Sequence, residues 1–157
     1  MSIESICEQN VATISKDTTL NEVSKHFLKR HVGSLVVTEG FNGKRVPAGI
    51  ITDRDLALAM ASSLNAPKLK VSQIMKKNPI TAKKTDGVFA TIKTMRENGV
   101  KRLPVVNEDG ALYGVISADD LLPMLADEIS LLSQIQDVQL LHEKGLKRPQ
   151  ASTEIIQ

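Results

Sequence analysis

The feature that most constrains this chain is an internal repeat. Residues 6–37 align without a gap with residues 74–105, at an offset of 68 positions. A connection follows that is longer in the first copy, and residues 49–56 then align with residues 114–121 at an offset of 65. A repeated unit of this size buries its apolar face against its neighbour. We therefore expect two similar units that pack together.

Both copies show the same pattern of elements. Apolar residues at spacings of three and four predict a first amphipathic helix in each copy. Two β-branched runs bounded by turn residues predict buried strands, and a second helix begins near Thr52 or Ser117. With an opening strand, the pattern predicts an α/β (α+β) fold. It comprises two pseudo-symmetric β-α-β-β-α repeats, residues 2–64 and 65–126, packed sheet to sheet with a cleft between them.

Composition excludes several classes of protein. Only 3% of the 157 residues are aromatic and the net charge is +2, which disfavours nucleic acid as a partner. The single cysteine excludes an intramolecular disulfide, and it forms no metal-ligand spacing with the three histidines. No stretch approaches the roughly 18 apolar residues of a membrane span, and no targeting segment is apparent. We expect a protein of the cytoplasm that does not interact with membranes.

Motifs for catalysis are not found. The chain has neither a Gly-rich phosphate loop nor a Gly-x-Ser-x-Gly elbow. No nucleophile has a base beside it in the sequence. We expect a protein that is not an enzyme and that requires no cofactor.

Two related motifs carry a family resemblance. Residues 49–55 read Gly-Ile-Ile-Thr-Asp-Arg-Asp, and residues 114–120 read Gly-Val-Ile-Ser-Ala-Asp-Asp. The second copy also has Leu-Pro-Val-Val at 103–106, and Ser-Gln-Ile-Met before Pro-Ile-Thr at 72–81. Over residues 2–126 this order resembles a tandem pair of CBS domains, the regulatory Bateman-type module named after cystathionine β-synthase.

The resemblance implies a function. CBS pairs bind adenosine-containing nucleotides such as AMP, ADP, ATP or S-adenosylmethionine in the cleft between the two domains. It therefore implies a stand-alone regulatory protein, commonly a homodimer, that signals by a change in conformation or assembly. An interaction or scaffold protein with degenerate ligand sites is the alternative.

The resemblance also implies roles for individual residues. In the family, each Thr/Ser-x-x-Asp element begins the second helix and faces the cleft. Asp55 and Asp120 would then hold ribose hydroxyls, while Thr52 and Ser117 would contact phosphate. The same spacing is also a capping box, which is the alternative interpretation.

The stretch before the Leu-Pro-Val-Val strand differs between the copies. Lys101 and Arg102 offer two cations to phosphate, whereas Gly33 and Ser34 occupy the matching positions. We therefore expect two unequal sites, with the second binding charged nucleotides more tightly and Arg54 serving the first. Alternatively, these cations are solvated surface residues. The predicted ligand-binding residues are Gly33, Ser34, Thr52, Arg54, Asp55, Lys101, Arg102, Ile116, Ser117 and Asp120.

The repeat is followed by a third kind of segment. Residues 127–145 carry a broad apolar stripe that includes Ile129, Leu132, Ile135 and Val138, which predicts a helix. Residues 146–157 are expected to form a flexible polar tail. Three roles stay open for the helix: docking on its own module, pairing across a dimer, or binding a protein partner.

Overall fold

A computed structural model describes residues 1–146 of the chain. The predicted tail, apart from its first residue, lies outside the described residues. Residues 1–121 form one compact unit that holds both repeats, and a second unit begins at residue 122.

Both repeats follow the predicted order of elements, so the fold class is confirmed. The elements are β1 (Thr13–Ser15), α1 (Leu20–Arg30), β2 (Ser34–Phe41), β3 (Lys44–Thr52), α2 (Asp53–Ser62), β4 (Lys76–Lys77), β5 (Ala82–Lys83), α3 (Val88–Asn98), β6 (Arg102–Val106), β7 (Leu112–Ser117) and α4 (Ala118–Leu146). Short 3-10 turns at Ile3–Ser5, Ala66–Lys68 and Val71–Gln73 join them.

The first helix of each repeat begins and ends at equivalent positions. The Thr19 hydroxyl accepts the backbone N–H of Glu22, whose carboxylate accepts the N–H of Thr19, so a full capping box starts α1. α1 ends at His31 and α3 ends at Gly99, 68 positions later, both in the left-handed conformation. Glycine adopts that conformation without strain, whereas histidine does not.

The strands form two sheets. One has the order β1-β2-β3-β4 and the other the order β5-β6-β7. In each sheet the first pair is parallel and the next is an antiparallel hairpin. Leu35 of β2 lies opposite Ile51 of β3, and both are fully buried in an apolar core beneath α1 and α2. Successive residues of each strand point to opposite faces, so the neighbours of these core residues are free to face the other repeat.

The leading segment of each repeat lies against the other repeat. Strand β4 belongs to the leading segment of the second repeat but pairs with β3 of the first, and Glu8 forms the equivalent bridge with Val115 of β7. Ile3 and its counterpart Val71 are both fully buried. The Ile3 N–H donates to the carbonyl of Asp86 at 2.9 Å in the second repeat, so the two repeats exchange their leading segments.

The predicted C-terminal helix is not a separate element. α4 runs from Ala118 to Leu146 with Pro123 inside it, so the second helix of repeat two and residues 127–145 share one helix. No glycine interrupts residues 118–144, which are mostly good helix formers. Within residues 122–145 the apolar side chains Ile129, Leu132 and Ile135 are exposed.

Candidate functional site

The two Thr/Ser-x-x-Asp elements both form capping boxes. Oδ2 of Asp55 accepts the Thr52 N–H at 2.9 Å and the Thr52 hydroxyl at 2.8 Å. Oδ2 of Asp120 accepts the same two groups of Ser117, at 3.0 and 2.5 Å. The capping interpretation therefore describes the local structure correctly. Within residues 1–146, Oδ1 of each aspartate has no hydrogen-bond partner, so the cap leaves one carboxylate oxygen free in each motif.

The first motif lines a cavity of about 440 Å³. The first repeat contributes residues 52–55, and the second contributes Lys76, Lys101 and Arg102. Four cations meet two carboxylates here, and we call this cavity the cationic cleft. An adjoining cavity of about 400 Å³ extends it along apolar residues that include Ile50, Pro79 and Ile80.

The second motif lines a smaller cavity of about 270 Å³. Ser117, Asp119 and Asp120 meet Gly33 and Ser34 of the first repeat there. Its further lining residues are Glu8, Asn10, Val11, Ala12, Val32, Val36, Arg102 and Val115. Three carboxylates meet one cation in this cavity, which we call the acidic cleft.

Each cleft combines the motif of one repeat with the pre-strand stretch of the other. We expected Lys101 and Arg102 to serve the motif of their own repeat, but both line the cavity that holds Thr52 and Asp55. Arg54 lies in that same cavity, so the predicted cations gather in one cleft. The exchange of leading segments explains this crossing, since β4 brings Lys76 of the second repeat onto β3 of the first.

When the repeats are aligned by their sequence offsets, the residues that line the two clefts differ systematically in charge. At four equivalent positions, the cationic cleft has a cation where the acidic cleft has an acid or a small uncharged residue. The pairs, with the cationic cleft first, are Lys76 with Glu8, Lys101 with Gly33, Arg102 with Ser34, and Arg54 with Asp119. The two clefts therefore differ in charge, but in the opposite sense to our expectation: the cations gather at the first motif and not at the second, because the pre-strand stretch of each repeat faces the motif of the other.

Arg102 lies between the two clefts and lines both. It begins β6 opposite Ser117, and its Nη2 contacts Oδ2 of Asp119 at 3.4 Å. A Cβ atom built on Gly33 would lie 3.5 Å from the same Nη2, so the guanidinium rests against the backbone of the first repeat. This contact with Arg102 gives a physical reason for the place of Gly33 among the predicted ligand-binding residues.

One predicted residue lies elsewhere. Ile116 is fully buried, and the lining of the acidic cleft includes its neighbours Val115 and Ser117 instead. Strand alternation explains the correction, because Ile116 shares a face with the core and not with the cleft. Sequence reasoning missed Glu8 and Lys76, although the offset of 68 positions already made them equivalent.

Cys7 contributes to packing at the edge of the acidic cleft. Burial, and to a smaller extent the carboxylates of Glu4 and Glu8, raises the pKa of its thiol. Its Sγ lies 3.0 Å from where a Cβ on Gly114 would stand. The protonated thiol is a poor nucleophile, so Cys7 acts here as a small buried packing residue.

A separate depression of about 480 Å³ lies away from both motifs, along Thr13–Lys16 and Thr38–Gly40. Lys16 is paired with Glu39 there, and Arg45 donates to the Thr13 hydroxyl at 3.5 Å. Its cations therefore already have partners. Over residues 1–146, no cluster of histidine, cysteine and acidic side chains has a metal-binding arrangement, and none of the helices meets the length and apolarity needed to cross a bilayer.

Comparison with known proteins agrees with this geometry. The family model described as CBS domain matches twice, over residues 3–62 and 71–127. A CBS domain-containing protein of Dictyostelium discoideum is 35% identical over 133 residues, covering 78% of this chain and 90% of that protein. An uncharacterized protein of Methanopyrus kandleri is 31% identical over 123 residues, and the match covers 78% of this chain but only 61% of that relative.

Solved structures share the fold. A CBS domain protein of Pyrobaculum aerophilum complexed with AMP has a TM-score of 0.70 at 29% identity, covering 77% of this chain and 90% of that one. The CBS domain pair of protein MJ0100, complexed with 5′-methylthioadenosine and S-adenosyl-L-methionine, has a TM-score of 0.69 at 25% identity, covering 80% of this chain and 99% of that one. With two matches in tandem and this architecture, the chain belongs to the CBS domain family.

Proposed function

We propose that this chain is a non-catalytic regulatory module that binds adenosine-containing nucleotides in its two clefts. The observation that carries the proposal is the free Oδ1 of Asp55 and Asp120, one at each cleft beside a helix start. The related structures complexed with AMP, and with S-adenosyl-L-methionine and 5′-methylthioadenosine, support this ligand class.

The cleft chemistry suits the parts of such a ligand. An ionised carboxylate accepts hydrogen bonds from ribose hydroxyls, and the free Oδ1 provides that acceptor without breaking the cap. Apolar residues such as Ile50 and Ile80 near the cationic cleft, and Val36 and Val115 in the acidic cleft, offer surface for the adenine ring. Cavities of about 270 and 440 Å³ approach or reach the range of small-molecule sites.

The Thr52 and Ser117 hydroxyls have a more limited part than the resemblance implies. Each already donates its proton to Asp55 or Asp120, so contact with phosphate requires that the hydroxyl turn away from the carboxylate. We therefore assign phosphate mainly to Lys101 and Arg102. The backbone N–H groups at the start of α2 already donate to Gly33, Asp53 and Thr52.

Signalling requires that a ligand prefer one arrangement of the protein. We propose that ligand binding, which draws on both repeats at once, alters their packing and is read out by a homodimer or a protein partner in the cytoplasm. Residues 127–145 are the proposed contact for that partner, since Ile129 and Val138 there are exposed.

The test is binding of AMP, ATP and S-adenosylmethionine by calorimetry, first with the wild-type protein and then with Asp120→Ala. The matched control is Glu22→Ala, which removes the equivalent carboxylate from the capping box of α1, far from either cleft. Each variant loses the carboxylate that accepts the N–H of the N-cap residue, so both helices lose part of their capping box. Only Asp120→Ala should lose a binding site. Equal affinities in both variants, or no binding to the wild-type protein, would contradict the proposal.

A scaffold role is the second candidate, favoured by the exposed apolar residues of α4 such as Leu132 and Ile135. It predicts that self-association, measured by sedimentation, is weakened by Ile135→Lys and unaffected by nucleotide. A sedimentation coefficient that shifts when nucleotide is added would favour the sensor.

A further inference from the structure

We infer that the two clefts select ligands of different charge and that Arg102 couples them, so that occupancy of one cleft changes the affinity of the other. This inference rests on the proposed function and extends it to the regulation of the same sites. A nucleoside polyphosphate is assigned to the cationic cleft. An uncharged or cationic adenosyl compound is assigned to the acidic cleft.

The charge pattern supports this selection. Lys76, Lys101 and Arg54 have no ion-pair partner among residues 1–146, so their charges are available to a polyphosphate. At the positions equivalent to Lys76 and Arg54, the acidic cleft has Glu8 and Asp119 instead. Carboxylates repel a phosphate chain and attract a sulfonium or ammonium group. The selection therefore arises from the residues that differ between the two repeats at these positions, and not from the fold that the repeats share.

Among residues 1–146, Arg102 is the one charged residue that lines both clefts. Its contact with Asp119 is 3.4 Å, longer than the 2.7–2.9 Å of a strong charge-assisted hydrogen bond. The Asp119 side chain is 68% exposed and that of Arg102 is 31% exposed. A weak, partly exposed pair can be broken by a phosphate in the cationic cleft, because bidentate contact with phosphate is the stronger interaction.

The sign of the coupling follows from this competition. When a polyphosphate draws Arg102 into the cationic cleft, Asp119 loses its partner and the acidic cleft becomes more negative. A cationic ligand such as S-adenosylmethionine then binds more tightly. AMP in the acidic cleft needs Arg102 as the cation for its phosphate, so it binds there more weakly. By thermodynamic linkage, each effect is reciprocal.

The experiment measures S-adenosylmethionine and AMP binding by calorimetry, with and without saturating ATP. To assign the binding of each ligand to a cleft, the measurement is repeated in Asp55→Ala, which keeps the acidic cleft intact, and in Asp120→Ala, which removes the ribose acceptor of that cleft. We expect ATP to tighten S-adenosylmethionine binding about fivefold or more and to weaken AMP binding by a similar factor, the lower end of typical allosteric coupling. In Asp55→Ala both effects should require higher ATP, because the ATP site itself is damaged.

Variants of Arg102 then test the mechanism. Arg102→Gln should reduce both coupling factors to about one while S-adenosylmethionine still binds, and Asp119→Asn should remove the enhancement for S-adenosylmethionine. Lys101→Ala should weaken ATP binding but leave the coupling factors unchanged once ATP is saturating. Arg96→Gln removes the same charge as Arg102→Gln at a position outside both clefts, and it serves as the control. Coupling that survives Arg102→Gln, or effects of the same sign on both ligands, would overturn the inference alone. Failure of every nucleotide to bind would overturn the proposed function as well.

Discussion

Replacing Gly114 with alanine tests how closely the first leading segment lies against the second repeat. A Cβ on Gly114 would stand 2.9 Å from the carbonyl oxygen of Glu8 and 3.0 Å from Sγ of Cys7. The first obstacle is backbone, and it cannot rotate away. Glu8 is held there by two hydrogen bonds of 2.9 Å that it exchanges with Val115.

The cost has two parts. Forcing a methyl group into a packed site typically costs about 1–3 kcal/mol. Moving Glu8 away strains two backbone hydrogen bonds, each with a net contribution of about 0.5–1.5 kcal/mol. Each movement relieves part of the strain, so the two costs do not add in full. We expect the free energy of unfolding to fall by about 2–4 kcal/mol. For a chain of 157 residues, that corresponds to a drop in Tm of about 4–16 °C.

Thermal unfolding followed by circular dichroism measures the loss, with two matched alanine variants. Gly40→Ala places its methyl group in open space, so its Tm should stay close to that of the wild-type protein. Gly49→Ala, the equivalent position in the first repeat, meets Sδ and Cγ of Met75 and the Lys76 carbonyl oxygen at 3.0 Å, so its loss should be about as large as that of Gly114→Ala. If Gly114→Ala were as stable as Gly40→Ala, the packing of Glu8 against the second repeat would be wrong.

Three further predictions concern stability and register. The backbone N–H of Thr19 lowers the pKa of Glu22 below 4.5, so this group stabilises the fold above its unfolded pKa and loses that contribution as pH falls through the lower folded pKa. Glu22→Gln should therefore flatten the acid limb of a stability profile measured by urea unfolding, and an unchanged slope would contradict the capping box. His31→Gly should raise stability by about 1 kcal/mol by removing left-handed strain, as denaturant midpoints would show, and a loss would refute the assigned backbone conformation. Ile51→Ala should lower the free energy of unfolding by about 2–5 kcal/mol in the same assay, because Ile51 is fully buried. Ile50→Ala should lower it less but should weaken ATP binding, because Ile50 lines the cationic cleft. A larger loss of stability in Ile50→Ala would mean that the two faces of β3 are assigned the wrong way round.

The repeat made most of the fold predictable. Both helix-strand-strand-helix units follow from hydrophobic periodicity, and the hairpin after Leu35 and Leu103 follows from its turn residues. The exchange of leading segments was not predictable, because β4 has only two residues and Glu8 forms a single bridge. Periodicity requires longer runs than these.

The same exchange explains what was missed at the clefts. The motif residues Thr52, Asp55, Ser117 and Asp120 could be located from their spacing, since the Thr/Ser-x-x-Asp element that caps each helix also lines a cleft. Which cations face which motif depends on how the repeats cross, and one sequence contains no information on pairs that meet only in the folded state. Arg102 was predicted as a ligand-binding residue from its position before β6, but its place between two clefts becomes visible only in the folded structure.

The exchange of leading segments also has a consequence for how the chain is synthesised. The first repeat lacks the β4 edge of its sheet and the buried Val71 until the second leading segment has left the ribosome. Ile3 and Glu8 lie in the first leading segment, but their partners Asp86 and Val115 are translated 83 and 107 residues later. Pairings between residues so far apart in the chain slow folding, because loop-closure entropy is lost before contacts form. Co-translational folding of this pair should therefore finish in one late step, with the nascent first repeat incomplete until then.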